Sequence, residues 1–162
     1  MLTKKSRLLL SLTAAVPLLF AACTDNGIFN PLADAAGTYT LTVYAGRTIP
    51  ATYQVVAGDP NFPGFPSGGT FVVTDGNLAL NNNGTFVETN NFVGTPLGQA
   101  GISSSFISSG TWTLNGTTFT LSDPARRRQV SGTLAANINN NLTINYMEDD
   151  GTGVLQSFEY MR

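Results

Sequence analysis

Across residues 37–162, apolar and polar side chains alternate with a period of two, and turn-forming residues break the alternation about every 8 to 12 positions. Successive side chains of a strand point to opposite faces, so this pattern buries one face and wets the other. Tyr39, Leu41 and Val43 alternate with Thr38, Thr40 and Thr42, which predicts an apolar inner row beside a hydroxyl outer row. Further strands are predicted around residues 52–56, 86–87, 106–114, 119–121, 130–134, 142–146 and 154–160, with apolar segments at 71–73 and 78–80 that form two short strands or one long one. Asn83-Gly84 and Asn115-Gly116 sit between such segments, where a type I′ hairpin turn needs positive φ at both central residues. Strands joined by short turns are neighbours and antiparallel. The predicted fold is therefore all-β, an up-and-down meander of eight to ten strands. Closure into a small barrel removes edges that would otherwise pair with other chains. Trp112, on the same face as Phe106, Ser108 and Gly110, is expected to be the largest buried side chain.

What the chain lacks narrows its chemistry. There is no His, which removes the usual general base and the commonest metal ligand. The single Cys, Cys23, allows neither an internal disulfide nor a thiolate metal site. No spacing supports a catalytic residue, a metal site or a cofactor, so an enzyme is not expected. All ten carboxylates follow residue 22, against five Arg and no Lys, and a binding face for nucleic acid is disfavoured for want of clustered cations.

Residues 1–22 read as an export signal: a basic start (Lys4, Lys5, Arg7), an apolar run over 8–20 and the small pair Ala21-Ala22. The run is shorter than the roughly 20 residues of a membrane-spanning helix, and Pro17 interrupts it. Leu19-Phe20-Ala21-Ala22-Cys23 resembles the lipobox of bacterial lipoproteins, with Phe20 where that family usually has Leu. The resemblance implies cleavage before Cys23, lipid on its thiol and a protein anchored in the cell envelope. Thr24, not an acid, follows the cysteine, which by the same resemblance favours the periplasmic face of the outer membrane. Residues 23–36 then form a tether of Asn, Gly, Pro and Ala ending in a short helical turn.

The domain at 37–162 carries a second resemblance. Gly37-Thr38-Tyr39-Thr40-Leu41, the hairpin around Asn82-Asn83-Gly84, Gly110-Thr111-Trp112-Thr113-Leu114-Asn115-Gly116 and the end Phe158-Glu159-Tyr160-Met161-Arg162 look like bacterial lipoproteins with a lipocalin-like β-barrel domain. That likeness implies a barrel whose interior holds a small apolar ligand. Lipocalins open their first strand with Gly-x-Trp, where this chain has Gly37-Thr38-Tyr39. They also stack a late Arg on that Trp, a part open to Arg162 if the last strand reaches it.

Several residues are candidates for the interior. The Pro-rich segment 58–69 presents Phe62 and Phe65, either as a lid over the barrel mouth or as a plug of one end. A second loop is expected over 91–101, with Phe92 and Leu97. If Asp75-Gly76 is a hairpin turn the two loops lie at opposite ends; if it is a bulge in one long strand, the preferred reading, they share an end. Phe86, Phe106 and Trp112 are aromatic candidates to contact a ligand. Glu88 shares a face with Phe86, so it either anchors a ligand's polar end or meets water at a fraying strand. Arg126-Arg127-Arg128 is read as a solvated turn that pairs with Glu148, Asp149 or Asp150, or else as an anion site. The acids at 148–150 lack the spacing of a Ca²⁺ loop. The leading expectation is a non-enzymatic, membrane-anchored envelope lipoprotein with a small apolar ligand in the barrel. The alternative is a structural or protein-interaction module, an inhibitor among its variants, with a solid core that contacts envelope proteins.

Overall fold

The structure, a computed structural model, describes residues 34–136, 141–149 and 154–162. Asp34 and Ala35 form a helical turn, and ten strands follow. They are β1 (Gly37–Tyr44), β2 (Arg47–Thr48), β3 (Ala51–Val55), β4 (Gly69–Leu80), β5 (Thr85–Pro96), β6 (Ile102–Asn115), β7 (Thr118–Asp123), β8 (Arg128–Ala136), β9 (Leu142–Asp149) and β10 (Leu155–Met161). From β4 to β10 each strand pairs antiparallel with the next, β10 pairs with β1, and β1 pairs back to β4. The fold is thus an antiparallel meander in which eight strands close a barrel, with β2 and β3 as additions.

The closing seam is divided. Gly37 to Thr40 of β1 pair with Leu80 to Asn77 of β4. Beyond that point β2 pairs with Val43 and Tyr44, and β3 pairs with the first half of β4 from Gly69 to Val73.

Two bulges set which side chains face inward, because one extra residue reverses the parity of everything after it. In β4 the register shifts between Val73 and Asp75, so Phe71 and Val73 face inward before it and Leu78 and Leu80 after it. The reading of one bulged strand therefore holds for 69–80, with Thr74 as the extra residue and Asp75 and Gly76 back in register opposite Asn91 and Asn90. In β1 the shift falls between Leu41 and Val43. Val43, expected inside, joins Ser131, Thr133 and Glu159 on the outer surface, and Tyr44 takes the inward place.

One half of the barrel is solid. Tyr39, Leu41, Leu78, Phe86, Trp112, Phe119, Leu121 and Ile144 pack there, each no more than 2% exposed. Trp112 is the largest of them, as expected, and its indole N–H donates to the Asn81 carbonyl at 3.0 Å. The chain enters at this sealed end: Ala35 is buried, and its carbonyl accepts the Tyr39 hydroxyl at 2.6 Å. Arg162 lies over the Tyr39 ring, 5.4 Å from its centre, and donates to the carbonyls of Asp34 and Ala36.

Candidate functional site: a half-hollow barrel

The inward row of β5 reads Phe86, Glu88, Asn90, Phe92, and it climbs from the solid half through a polar layer into open space. That space is a cavity of about 530 Å³, within the roughly 300 to 1,000 Å³ of small-molecule sites. Its walls are aromatic. Phe71 stacks at a tilt on Phe92 with ring centres 4.9 Å apart, Phe158 meets Tyr44 edge-on at 4.9 Å, and Tyr53 and Phe106 complete the ring. Offset and edge-on pairs suit the quadrupole of such rings and hold them apart as walls.

The floor is an ion network. Arg128, first residue of β8, reaches inward and forms a two-pronged pair with Glu148 of β9: Nε to Oε1 at 2.6 Å and Nη2 to Oε2 at 2.7 Å. Its Nη1 donates to Glu88 Oε2 at 2.5 Å and to Ser108 Oγ at 3.1 Å, and Nη2 also donates to the Tyr146 hydroxyl at 3.1 Å. Glu88, fully buried, accepts the hydroxyls of Tyr146 and Tyr160 on Oε1, each at 2.6 Å, and the Asn90 amide at 3.2 Å. The Ser108 hydroxyl in turn donates to Asp123 Oδ2 at 2.8 Å. Burial, and then the Glu88 charge beside it, push the Tyr146 hydroxyl well above its ordinary pKa. Tyr160 is raised likewise, by burial first, then by Tyr146 and Glu88, so both phenols stay protonated donors. For Arg128, burial pulls downward but the Glu148 and Glu88 carboxylates outweigh it, and the guanidinium stays charged. Among the described residues no buried side-chain nitrogen or oxygen lacks a partner.

Three of the six interior candidates line the cavity: Phe62, Glu88 and Phe106. Glu88 neither frays into water nor waits for a ligand, because its own neighbours saturate it. Phe86 and Trp112 lie in the solid half, outside the cavity. Phe65 packs edge-on against Phe62 at 5.8 Å and lies over two glycines, Gly69 and Gly94, where a Cβ would meet its ring at 2.9 and 2.8 Å. The Pro-rich loop thus folds over the mouth while leaving the interior open. The second loop is shorter than expected, since β5 runs on to Pro96 and only 97–101 remain; Phe92 belongs to the wall, not to a loop. Both loops share one end, joined by Leu97 N–H to the Gly68 carbonyl at 2.8 Å.

The arginine run is not a solvated unit. Arg126 lies over Phe106 at 4.8 Å and donates to the Ile107 carbonyl, while Arg128 is the centre of the floor. The pairing expected of the run forms between Arg128 and Glu148, and Asp150 lies outside the described residues. Among the described residues no group of three His, Cys, Asp or Glu side chains is placed to hold a metal ion, and no helix is long and apolar enough to cross a membrane. Cys23, the leader and the tether as far as residue 33 also lie outside the described residues. Comparison with protein-family models and with curated proteins finds no match for this chain.

Proposed function

We propose that this chain is a non-enzymatic lipoprotein of the bacterial envelope, anchored through lipid on Cys23, whose lipocalin-like barrel takes a small apolar ligand. The observation that carries the reading is the aromatic-walled cavity of about 530 Å³ above a hydrogen-bonded polar floor. A barrel evolved only as a solid support gains nothing from that void, since each unfilled volume forfeits packing energy. The Arg162 guanidinium over Tyr39 supports the lipocalin likeness, because Tyr39 stands where lipocalins carry their first-strand Trp. The tether joins the sealed end, so the mouth lies at the end remote from the anchor's attachment. Outer-membrane location on the periplasmic side follows from Thr24 after the cysteine, by the same resemblance.

Native mass spectrometry of the full chain, extracted from its host membrane, tests the binding role. A small molecule carried at one per chain is the expected result; a chain that carries none and takes up no apolar probe would leave the structural or protein-interaction alternative. The anchor has its own test. Cys23→Ser should keep its leader and lose acyl labelling, and normal maturation of that variant would refute the lipobox.

A further inference from the structure

The charge and hydrogen-bond inventory of the cavity goes further than its size. Three carboxylates, Glu88, Glu148 and Asp149, line it against one guanidinium, Arg128. A guanidinium has five N–H donors. In Arg128 all five are engaged, by Glu148 twice and by Glu88, Ser108 and Tyr146 once each. A carboxylate or phosphate entering the cavity therefore finds a cation with no donor to give. The Tyr146 and Tyr160 hydroxyl protons are likewise committed to Glu88.

Acceptors are another matter. Glu148 takes one bond from Arg128 on each oxygen, has lone pairs left, and its side chain is 27% exposed in a cavity wall. Tyr44, Phe106 and Phe158 line the same cavity, so an apolar body beside the Glu148 carboxylate meets aromatic surface, and the Phe106 ring already attracts the Arg126 guanidinium at 4.8 Å. The field at the wall agrees: after burial and Tyr53, the Glu148 and Glu88 charges push the Tyr44 hydroxyl pKa up, ahead of the opposing pull of Arg128.

We infer that the ligand is an apolar-bodied organic cation, a primary ammonium whose N–H groups donate to Glu148 while its hydrocarbon part lies against the rings of Phe71, Phe92 and Phe158. This rests on the proposed binding role and narrows it from any small apolar molecule to one charge class. It excludes the fatty-acid type of ligand that a buried arginine in a barrel would first suggest.

The test uses three probes with one body: 2-(1-naphthyl)ethylamine, 2-(1-naphthyl)ethanol and 1-naphthylacetate. Each is titrated by calorimetry into the full chain held in phosphatidylcholine nanodiscs, with empty nanodiscs as blank. The amine should bind at least tenfold tighter than the alcohol, and the acid weakest. In E148Q, the amine's advantage over the alcohol should shrink at least fivefold. The probe ranking on the unaltered chain decides the matter even if that variant folds poorly. Equal binding of amine and alcohol, or preference for the acid, overturns the charge assignment and leaves the binding role standing. Failure of all three to bind overturns both.

Discussion

Asp123 shows how a single carboxylate ties the floor to the fold. It closes β7 with its side chain turned inward, accepts Ser108 Oγ and takes the N–H groups of Ser109 and Arg126 at 3.3 and 3.1 Å. Burial pushes its pKa up, but the Ser108 hydroxyl and the backbone N–H groups of Arg126, Ser109 and Ala125 outweigh that and hold it below the usual value. The unfolded chain therefore binds the proton at a higher pH than the folded one. The stability Asp123 contributes is complete above about pH 5 and drains away as pH falls through the carboxylate range. Urea midpoints should show Asp123→Asn well below the parent at pH 7, with the gap narrowing towards pH 3; a gap that stays constant with pH would refute the assignment. At this scale the sequence reading was partial. Parity with Phe86 places Glu88 inward, but its partners are not legible locally, because Arg128, Tyr146 and Tyr160 lie 40, 58 and 72 positions away on other strands. The same parity rule reaches them: Arg128 shares a face with Val130, Tyr146 and Glu148 with Ile144, and Asn90 with Glu88. A run of three arginines beside a turn looks solvated until one asks which of the three continues the inward row.

Between the strands, register does what composition cannot. The bulge in β4 lets a twelve-residue strand keep apolar residues inward at both ends, which brings the Pro-rich loop and residues 97–101 to the same rim. That much was legible, because Asp75-Gly76 interrupts the alternation without supplying a loop. The bulge in β1 was not, since Thr42 and Val43 fit either face and only the pairing with Glu159 shows the slip. Nor did the strand reach of β5 show in the sequence, where Asn91 and Gly94 read as loop residues; in the barrel Asn91 pairs with Ser105 and Gly94 makes room for Phe65. This gives the loop a specific dock. Gly94→Val should drive the Phe65 ring off the rim, because even a Cβ there would stand 2.8 Å from the ring's far carbon. Limited proteolysis within 56–68 should then accelerate several-fold, while emission from the sole tryptophan, Trp112 in the solid half, stays unchanged. Unaltered cleavage would mean that the aromatic dock does not hold the loop.

The whole molecule divides along its axis into halves with different jobs. Below the floor, ring and aliphatic side chains fill the barrel and Arg162 clasps the carbonyls of Asp34 and Ala36; above it, the same strands continue around empty space. Stability in such an object is uneven, since local opening is cheapest where few apolar contacts must be broken. The strands run through both halves, so unfolding need not separate them, but fluctuation should. Amide hydrogen exchange of the full chain should be slowest where β6 and β7 flank Trp112, Phe119 and Leu121, and fastest in 56–68 and at the mouth ends of β3 and β5. The mouth ends of β8 and β9 should depart from that gradient, because the Arg128, Glu88 and Glu148 pairs pin them from inside. A cation seated against Glu148 should then slow exchange at Phe71, Phe92 and Phe158 and leave the sealed end unmoved. Protection that is uniform from end to end would contradict this division, and with it the idea that a rigid base holds open a more pliant cup.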